Sequence, residues 1–99
     1  MDVSSLDDVR SNIDRLDREI IKLIAERGTY VHQAAKFKTS SADVEAPKRV
    51  EQVIAKVRSI SEEAGLEPSV AEAAYRAMIA AFVTVEHEAF QRQQTATGV

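Results

Sequence analysis

Apolar residues recur at every third or fourth position over the first third of the chain. The series is Leu6, Val9, Ile13, Leu16, Ile20, Leu23, Tyr30, Ala34 and Phe37. This spacing is typical of the buried face of an α-helix, and no proline interrupts it before Pro47. We predict one helix over about 5–38, which would be on the order of 50 Å long at 1.5 Å per residue.

Two shorter helices are predicted from the prolines and glycines that follow. Pro47 suits the first turn of a helix over 47–64, and Gly65 suits its C-terminal cap. A second proline begins a third helix over 68–91, and the polar tail 93–99 is expected to fray. Because no segment alternates apolar and polar residues with a period of two, we expect no strands.

The length of the first helix sets a requirement on assembly. A chain of 99 residues provides one domain, 1–99, and not two. A compact globule of this size has a diameter of about 35 Å, so the first helix is longer than its own domain. Its apolar face must continue against another molecule, and a second copy related by two-fold symmetry is the simplest partner. The sequence predicts an all-α fold with three helices per chain, assembled as an intertwined helical homodimer.

Charge and composition exclude several classes of function. A net charge of −3 argues against binding to nucleic acid or to an anionic membrane surface. The chain has no cysteine, and neither His32 nor His87 has further ligands at a metal-binding spacing, so we predict no metal and no cofactor. The start of the chain lacks the apolar region of a signal peptide, and together with the absence of cysteine this favours the cytoplasm.

Several cations occupy positions where the long helix should be apolar. Arg27 breaks the apolar series, and Lys38 lies about 20° from it around the axis and roughly 16 Å further along. Arg10 lies some 25 Å back along the helix. In an antiparallel dimer, Arg10 of one chain can approach the far half of the other long helix. Arg49, in the first turn of the second helix, is a fourth candidate for the same site.

Glu86 is the corresponding anomaly on the third helix. It falls on the apolar face defined by Ile79, Phe82, Val83 and Phe90. A buried carboxylate either pairs with a cation or holds a proton. Each of these charged residues also has an ordinary explanation when taken alone, because arginines extend to solvent, form ion pairs along a helix or stabilise its C-terminal end.

The segments around these residues resemble the all-helical class of chorismate mutases. They are DVRSNIDRLDREI with Arg10, LIAERGTYV with Arg27, AAKFK with Lys38 and APKRV with Arg49. Within that class the chain looks closest to the branch of isochorismate pyruvate lyases, notably in FKTSSADVEAPKRV and EEAGLE. The resemblance covers about Leu6 to Arg92.

The resemblance implies a pericyclic rearrangement of chorismate to prephenate, a step of aromatic amino acid biosynthesis. It implies that Arg27, Lys38 and Arg49 of one chain, with Arg10 of the other, bind a small dicarboxylate. No cofactor is implied. Glu86 stands where the family has a glutamine that bonds the ether oxygen of the substrate, so Lys38, Glu86 and Arg27 are the predicted catalytic residues.

Two positions depart from the pattern of the family. Val50 replaces a glutamate that holds the ring hydroxyl in many of the mutases, and Phe82 replaces a serine. Val50 favours the alternative activity, in which isochorismate is cleaved to salicylate and pyruvate. A third interpretation is a non-catalytic helical dimer whose apolar face binds partner helices.

Overall fold

The computed structural model describes residues 3–37 and 47–97 and contains three α-helices. Helix α1 spans Leu6–Ala34 and is followed by a 3-10 turn, Ala35–Phe37. Helix α2 spans Pro47–Ala64, and helix α3 spans Pro68–Thr97. The described ranges contain no strand, which confirms the predicted all-α fold.

The ends of two helices differ from the prediction. Helix α1 is α-helical only to Ala34, and its continuation tightens into the 3-10 turn that often closes a helix. Helix α3 continues to Thr97 and does not end near Gln91. Residues 92–97 include no proline or glycine, so the sequence has no helix breaker between the predicted and the observed end of α3.

The start of α1 is fixed by reciprocal hydrogen bonds between side chains and backbone. The N–H of Asp8 donates to Oγ of Ser5 at 3.1 Å, as expected of a serine N-cap. Ser4 donates to Oδ2 of Asp8 from its hydroxyl at 2.6 Å and from its backbone N–H at 3.2 Å. These bonds, the hydroxyl bond first, hold the pKa of Asp8 below its usual range.

The chain divides into two compact units, Met1–Gln33 and Ala34–Val99. The first unit is essentially α1, and none of the residues of α1 is buried. Most of its large apolar side chains are strongly exposed, for example 60% for Leu6, 51% for Ile20 and 63% for Leu23. A single helix has no hydrophobic core of its own, so α1 needs a further surface to cover its apolar side chains. The single domain over 1–99 and the homodimer, which would each provide such a surface, stay predictions.

The second unit contains a helical hairpin of α2 and α3. Its core consists of Val53, Val57 and Ala71, with Tyr75 and Ile79 packed against it. These residues repeat at intervals of four on each helix, which places them on one face. The hairpin therefore buries the apolar face of α2 against that of α3.

A glycine cap closes α2 before the turn of the hairpin. Gly65 has a φ of 76°, and its N–H donates to the carbonyl of Glu62. The N–H of Leu66 donates to the carbonyl of Ser61 at 2.8 Å. This pair of bonds is the Schellman motif, which satisfies carbonyls at the end of a helix. The buried hydroxyl of Ser61 donates to the carbonyl of Val57 at 2.7 Å, so this polar side chain is satisfied within its own helix.

Candidate active site

Four of the five predicted site residues lie on the three helices. Arg10 is exposed and Arg27 is partly buried, both on α1. Arg49 is exposed in the first turn of α2, and Glu86 is buried on α3. Lys38 lies outside the described residues. Because α1 and the hairpin belong to separate units, the convergence of these side chains on one site stays a prediction.

The two arginines of α1 are too far apart to bind one small molecule within a single chain. Arg10 and Arg27 are seventeen positions apart on a continuous helix, which corresponds to about 25 Å at 1.5 Å per residue. A substrate the size of a ring with two carboxylates spans less than half of that distance. A site that uses both arginines therefore needs α1 from two chains.

Glu86 is the one buried charged side chain among the described residues, with 7% of its surface exposed. This burial agrees with its position on the apolar face of α3. Its neighbour Val85 is 56% exposed, as the helical periodicity requires. A carboxyl group in such surroundings either accepts hydrogen bonds from cations as a carboxylate or donates one as an acid. Of the two, the acid form suits a site where negative charge develops, because it donates a hydrogen bond.

An ion-pair network joins α2 to α3, and it was not predicted from the sequence. The guanidinium of Arg76 donates to both carboxylate oxygens of Glu51, at 2.9 and 3.0 Å. Its Nε donates to Glu72 at 2.8 Å, and Arg58 donates to the other oxygen of Glu72 at 2.7 Å. We refer to Glu51, Arg58, Glu72 and Arg76 as the ion-pair network.

The network shifts the ionisation of its members. The hydrogen bonds from Arg76 lower the pKa of Glu51, and those from Arg76 and Arg58 lower the pKa of Glu72. The same bonds, that to Glu51 first, raise the pKa of Arg76. The part of the network within α3, Glu72 and Arg76, has the spacing of four that is readable from sequence. The contacts across the hairpin depend on how the two helices align, which the sequence alone does not specify.

The described residues contain no group of three histidine, cysteine, aspartate or glutamate side chains placed to hold a metal ion. Within the same ranges, no helix is long and apolar enough to cross a membrane.

Fold and side chains together define an all-α protein with the candidate site arginines on α1 and α2 and a buried carboxyl group on α3. Residues 9–87 match the family described as chorismate mutase type II. The chain is also 35% identical over 78 residues to an isochorismate pyruvate lyase from Pseudomonas aeruginosa, an alignment that covers 79% of this chain and 77% of that protein. The chain belongs to the chorismate mutase type II family.

Membership of this family confirms the resemblance found in the sequence and makes the chain an enzyme. It favours catalysis over the third interpretation, a non-catalytic helical dimer. The matched range includes Arg10, Arg27, Lys38, Arg49 and Glu86. The roles of these five residues stay predictions.

Proposed function

We propose that this protein is a chorismate mutase that converts chorismate to prephenate in the biosynthesis of aromatic amino acids. The observation that carries the proposal is the family match over 9–87, which contains every predicted site residue. The reaction breaks a C–O bond and forms a C–C bond in one cyclic transition state, so it requires neither a nucleophile nor a metal. The protein must hold the flexible enolpyruvyl arm over the ring and stabilise the charge that develops on the ether oxygen.

Each task is assigned to particular side chains. Arg27 and Arg10 bind the two carboxylates of the substrate, because a guanidinium matches a carboxylate with two parallel hydrogen bonds. Lys38 donates to the ether oxygen as the C–O bond breaks. Glu86 donates to the same oxygen in its protonated form, since a carboxylate there would repel the developing charge. Arg49 completes the binding of the substrate from the start of α2.

The active unit in this proposal is a homodimer with two shared sites. Two observations support it: the separation of about 25 Å between Arg10 and Arg27 on α1, and the exposed apolar side chains of that helix. In a two-fold assembly with antiparallel α1 helices, Arg10 of one copy enters the site that contains Arg27 of the other. We also propose a cytoplasmic location, which suits a chain without cysteine.

The alternative activity is the cleavage of isochorismate to salicylate and pyruvate. The relative from Pseudomonas aeruginosa carries that name, and Val50 is an apolar residue where many mutases have a glutamate. In this reaction the C–O bond breaks and a ring hydrogen moves to the methylene carbon of the departing enolpyruvyl group. The same cations would bind the substrate, so one site can catalyse both reactions at different rates.

The deciding experiment incubates the purified protein with chorismate and, separately, with isochorismate, and identifies the products. Prephenate formed at the higher catalytic efficiency supports the proposal, and salicylate formed at the higher efficiency supports the alternative. Arg27→Ala should reduce kcat/KM at least a hundredfold, because one such donor contributes about 3 to 4 kcal/mol to the transition state. Lys38→Ala should behave alike, and Lys38→Arg should not restore activity.

Arg18→Ala is the matched control for Arg27→Ala. Arg18 is an exposed arginine of α1 that lies nine positions before Arg27, about 180° away around the helix. It should leave kcat/KM within about twofold, since an exposed helix cation contributes little. Equal losses in both variants, or a loss of helical circular dichroism with the loss of activity, would argue against a catalytic role for Arg27.

Subunit mixing tests whether the sites are shared. Arg10→Ala and Arg27→Ala should each be inactive alone. When the two are mixed and allowed to exchange, each heterodimer should contain one site that carries both substitutions and one that carries neither. Activity should therefore reappear, up to one competent site per heterodimer. If the mixture stays inactive after exchange has been verified by mass spectrometry, Arg10 of one chain and Arg27 of the other do not serve the same site.

A further inference from the structure

Arg49 is the proposed substrate ligand on α2, and it lies before the first buried side chain of that helix. The buried side chains of α2 begin only at Val53, and before it Val50 is partly buried. Arg49 is four positions before Val53, so it lies at one edge of the buried face of α2 and one turn closer to the N-terminus. The direction in which Arg49 leaves the helix therefore depends on how firmly the first turns of α2 are held.

The ion-pair network supplies a contact at this point. Glu51 lies at the start of the second turn of α2, and both of its carboxylate oxygens are bound by Arg76 of α3. A bidentate pair of this kind fixes the angle between the two groups as well as their distance. The Nε of Arg76 is bound in turn to Glu72, at 2.8 Å. Glu72, on the same helix, therefore orients the guanidinium of Arg76 toward Glu51 of α2.

The geometry of the helix connects Glu51 to Arg49. Two positions on a helix are about 200° apart, so Glu51 and Arg49 project from nearly opposite sides of α2. When Arg76 holds Glu51 on one side, it restricts the rotation of the turn of α2 that precedes the buried side chains. This rotation determines where the guanidinium of Arg49 is presented on the other side.

We propose that Arg76 is a positioning residue of the active site, which orients Arg49 for the substrate by holding Glu51 at the start of α2. This inference rests on the proposed function, because it concerns the binding of that substrate by Arg49. Arg76 itself does not contact the substrate. Its effect should appear in KM, which reports how well the substrate is held, and less in kcat.

The test compares Arg76→Gln with Arg58→Gln in steady-state kinetics with the substrate that the wild-type protein converts. Both changes remove one guanidinium of the ion-pair network, but Arg58 is bound to Glu72 and not to Glu51. Arg76→Gln should raise KM about tenfold and leave kcat within about twofold. Arg58→Gln should leave both within about twofold. Partial unfolding cannot imitate this result, since it lowers the concentration of active enzyme and so the apparent kcat, not KM.

A double-mutant cycle tests the route through Glu51. If Arg76 acts by holding Glu51, then Glu51→Gln raises KM by a similar factor, and the double variant is no worse than either single variant. Arg49→Ala should raise KM at least as much. A wild-type KM for Arg76→Gln, an equal rise for Arg58→Gln or additive effects of Glu51→Gln and Arg76→Gln would each overturn the inference while leaving the proposed function intact.

A second readout does not depend on activity. Since the chain has no cysteine, Arg49→Cys provides a single attachment point for a nitroxide spin label. Adding Arg76→Gln should narrow the lines of its electron paramagnetic resonance spectrum, because the first turns of α2 become more mobile. Adding Arg58→Gln should not. Unchanged spectra in both would overturn the inference, whereas a wild-type protein that converts neither substrate would refute the proposed function on which the inference rests.

Discussion

Truncation of Ile20 on α1 and of Ile54 on α2 distinguishes a dimer from a monomer by their effects on stability. Ile54 is 4% exposed within the hairpin, and Ile20 is 51% exposed on a helix with no buried residue. Ile54→Ala removes buried methyl groups and should cost about 2 to 5 kcal/mol in either state. The two states differ only in what Ile20→Ala does.

The expected cost of Ile20→Ala follows from its exposure. In a monomer about half of this side chain already meets water, so its loss should cost roughly 1 kcal/mol or less, about half of the value for full burial. In an intertwined dimer the partner covers the apolar face of α1, so Ile20→Ala removes a buried side chain from each chain. The cost per chain should then approach that of Ile54→Ala.

The assay is chemical and thermal denaturation followed by circular dichroism at several protein concentrations. Unfolding of a dimer to two chains becomes easier on dilution, by about 1.4 kcal/mol per dimer for a tenfold change. For roughly 200 residues unfolding together this corresponds to a fall in Tm of about 3 to 5 °C. A Tm independent of concentration, with a cost below about 1 kcal/mol for Ile20→Ala, would refute the argument from the length of α1.

Three further outcomes are expected. Glu86→Gln should keep mutase activity and Glu86→Ala should lose it, because an amide also donates a hydrogen bond to the ether oxygen; equal inactivity of the two variants would contradict the role of Glu86. The pKa of Glu72 is lowered in the folded state. The stability that ionised Glu72 contributes is therefore complete above the usual pKa range of glutamate and is lost as pH falls from about 5 toward 3. Tm should fall over that window, and it should fall less in Arg76→Gln. Gly65→Ala should cost about 1 to 2 kcal/mol in urea denaturation, because the φ of 76° strains any side chain although nothing lies within 4 Å of the added Cβ; Gly65→Asn should cost less.

The helices were predictable because their signals are local. The periodicity of α1, its serine cap, the proline that begins α2 and the glycine that ends it all act within a few residues of one another. The sequence predicts the far end of α3 too early, because polar residues favour fraying although none of them breaks a helix. Because no proline or glycine follows Gln91 before Gly98, the helix continues to Thr97.

The candidate site was predictable only in part. The burial of Glu86 could be anticipated, because the face on which a residue lies follows from its spacing to apolar neighbours. The contact between Arg76 and Glu51 could not, because it joins residues 25 positions apart whose meeting depends on the packing of α2 against α3. Nor does spacing show which surfaces meet in a second copy of the chain.

The ion-pair network has a consequence for the fidelity of folding. Helix α3 is rich in alanine, and short side chains form shallow ridges that resist sliding poorly. Native contacts place Glu51 beside Arg76 and Arg58 beside Glu72. If α3 slipped by one turn in one direction, Glu51 would face Glu72, and if it slipped the other way, Arg58 would face Arg76. Either error brings like charges together, so the four side chains favour the native register of the hairpin over its nearest alternatives.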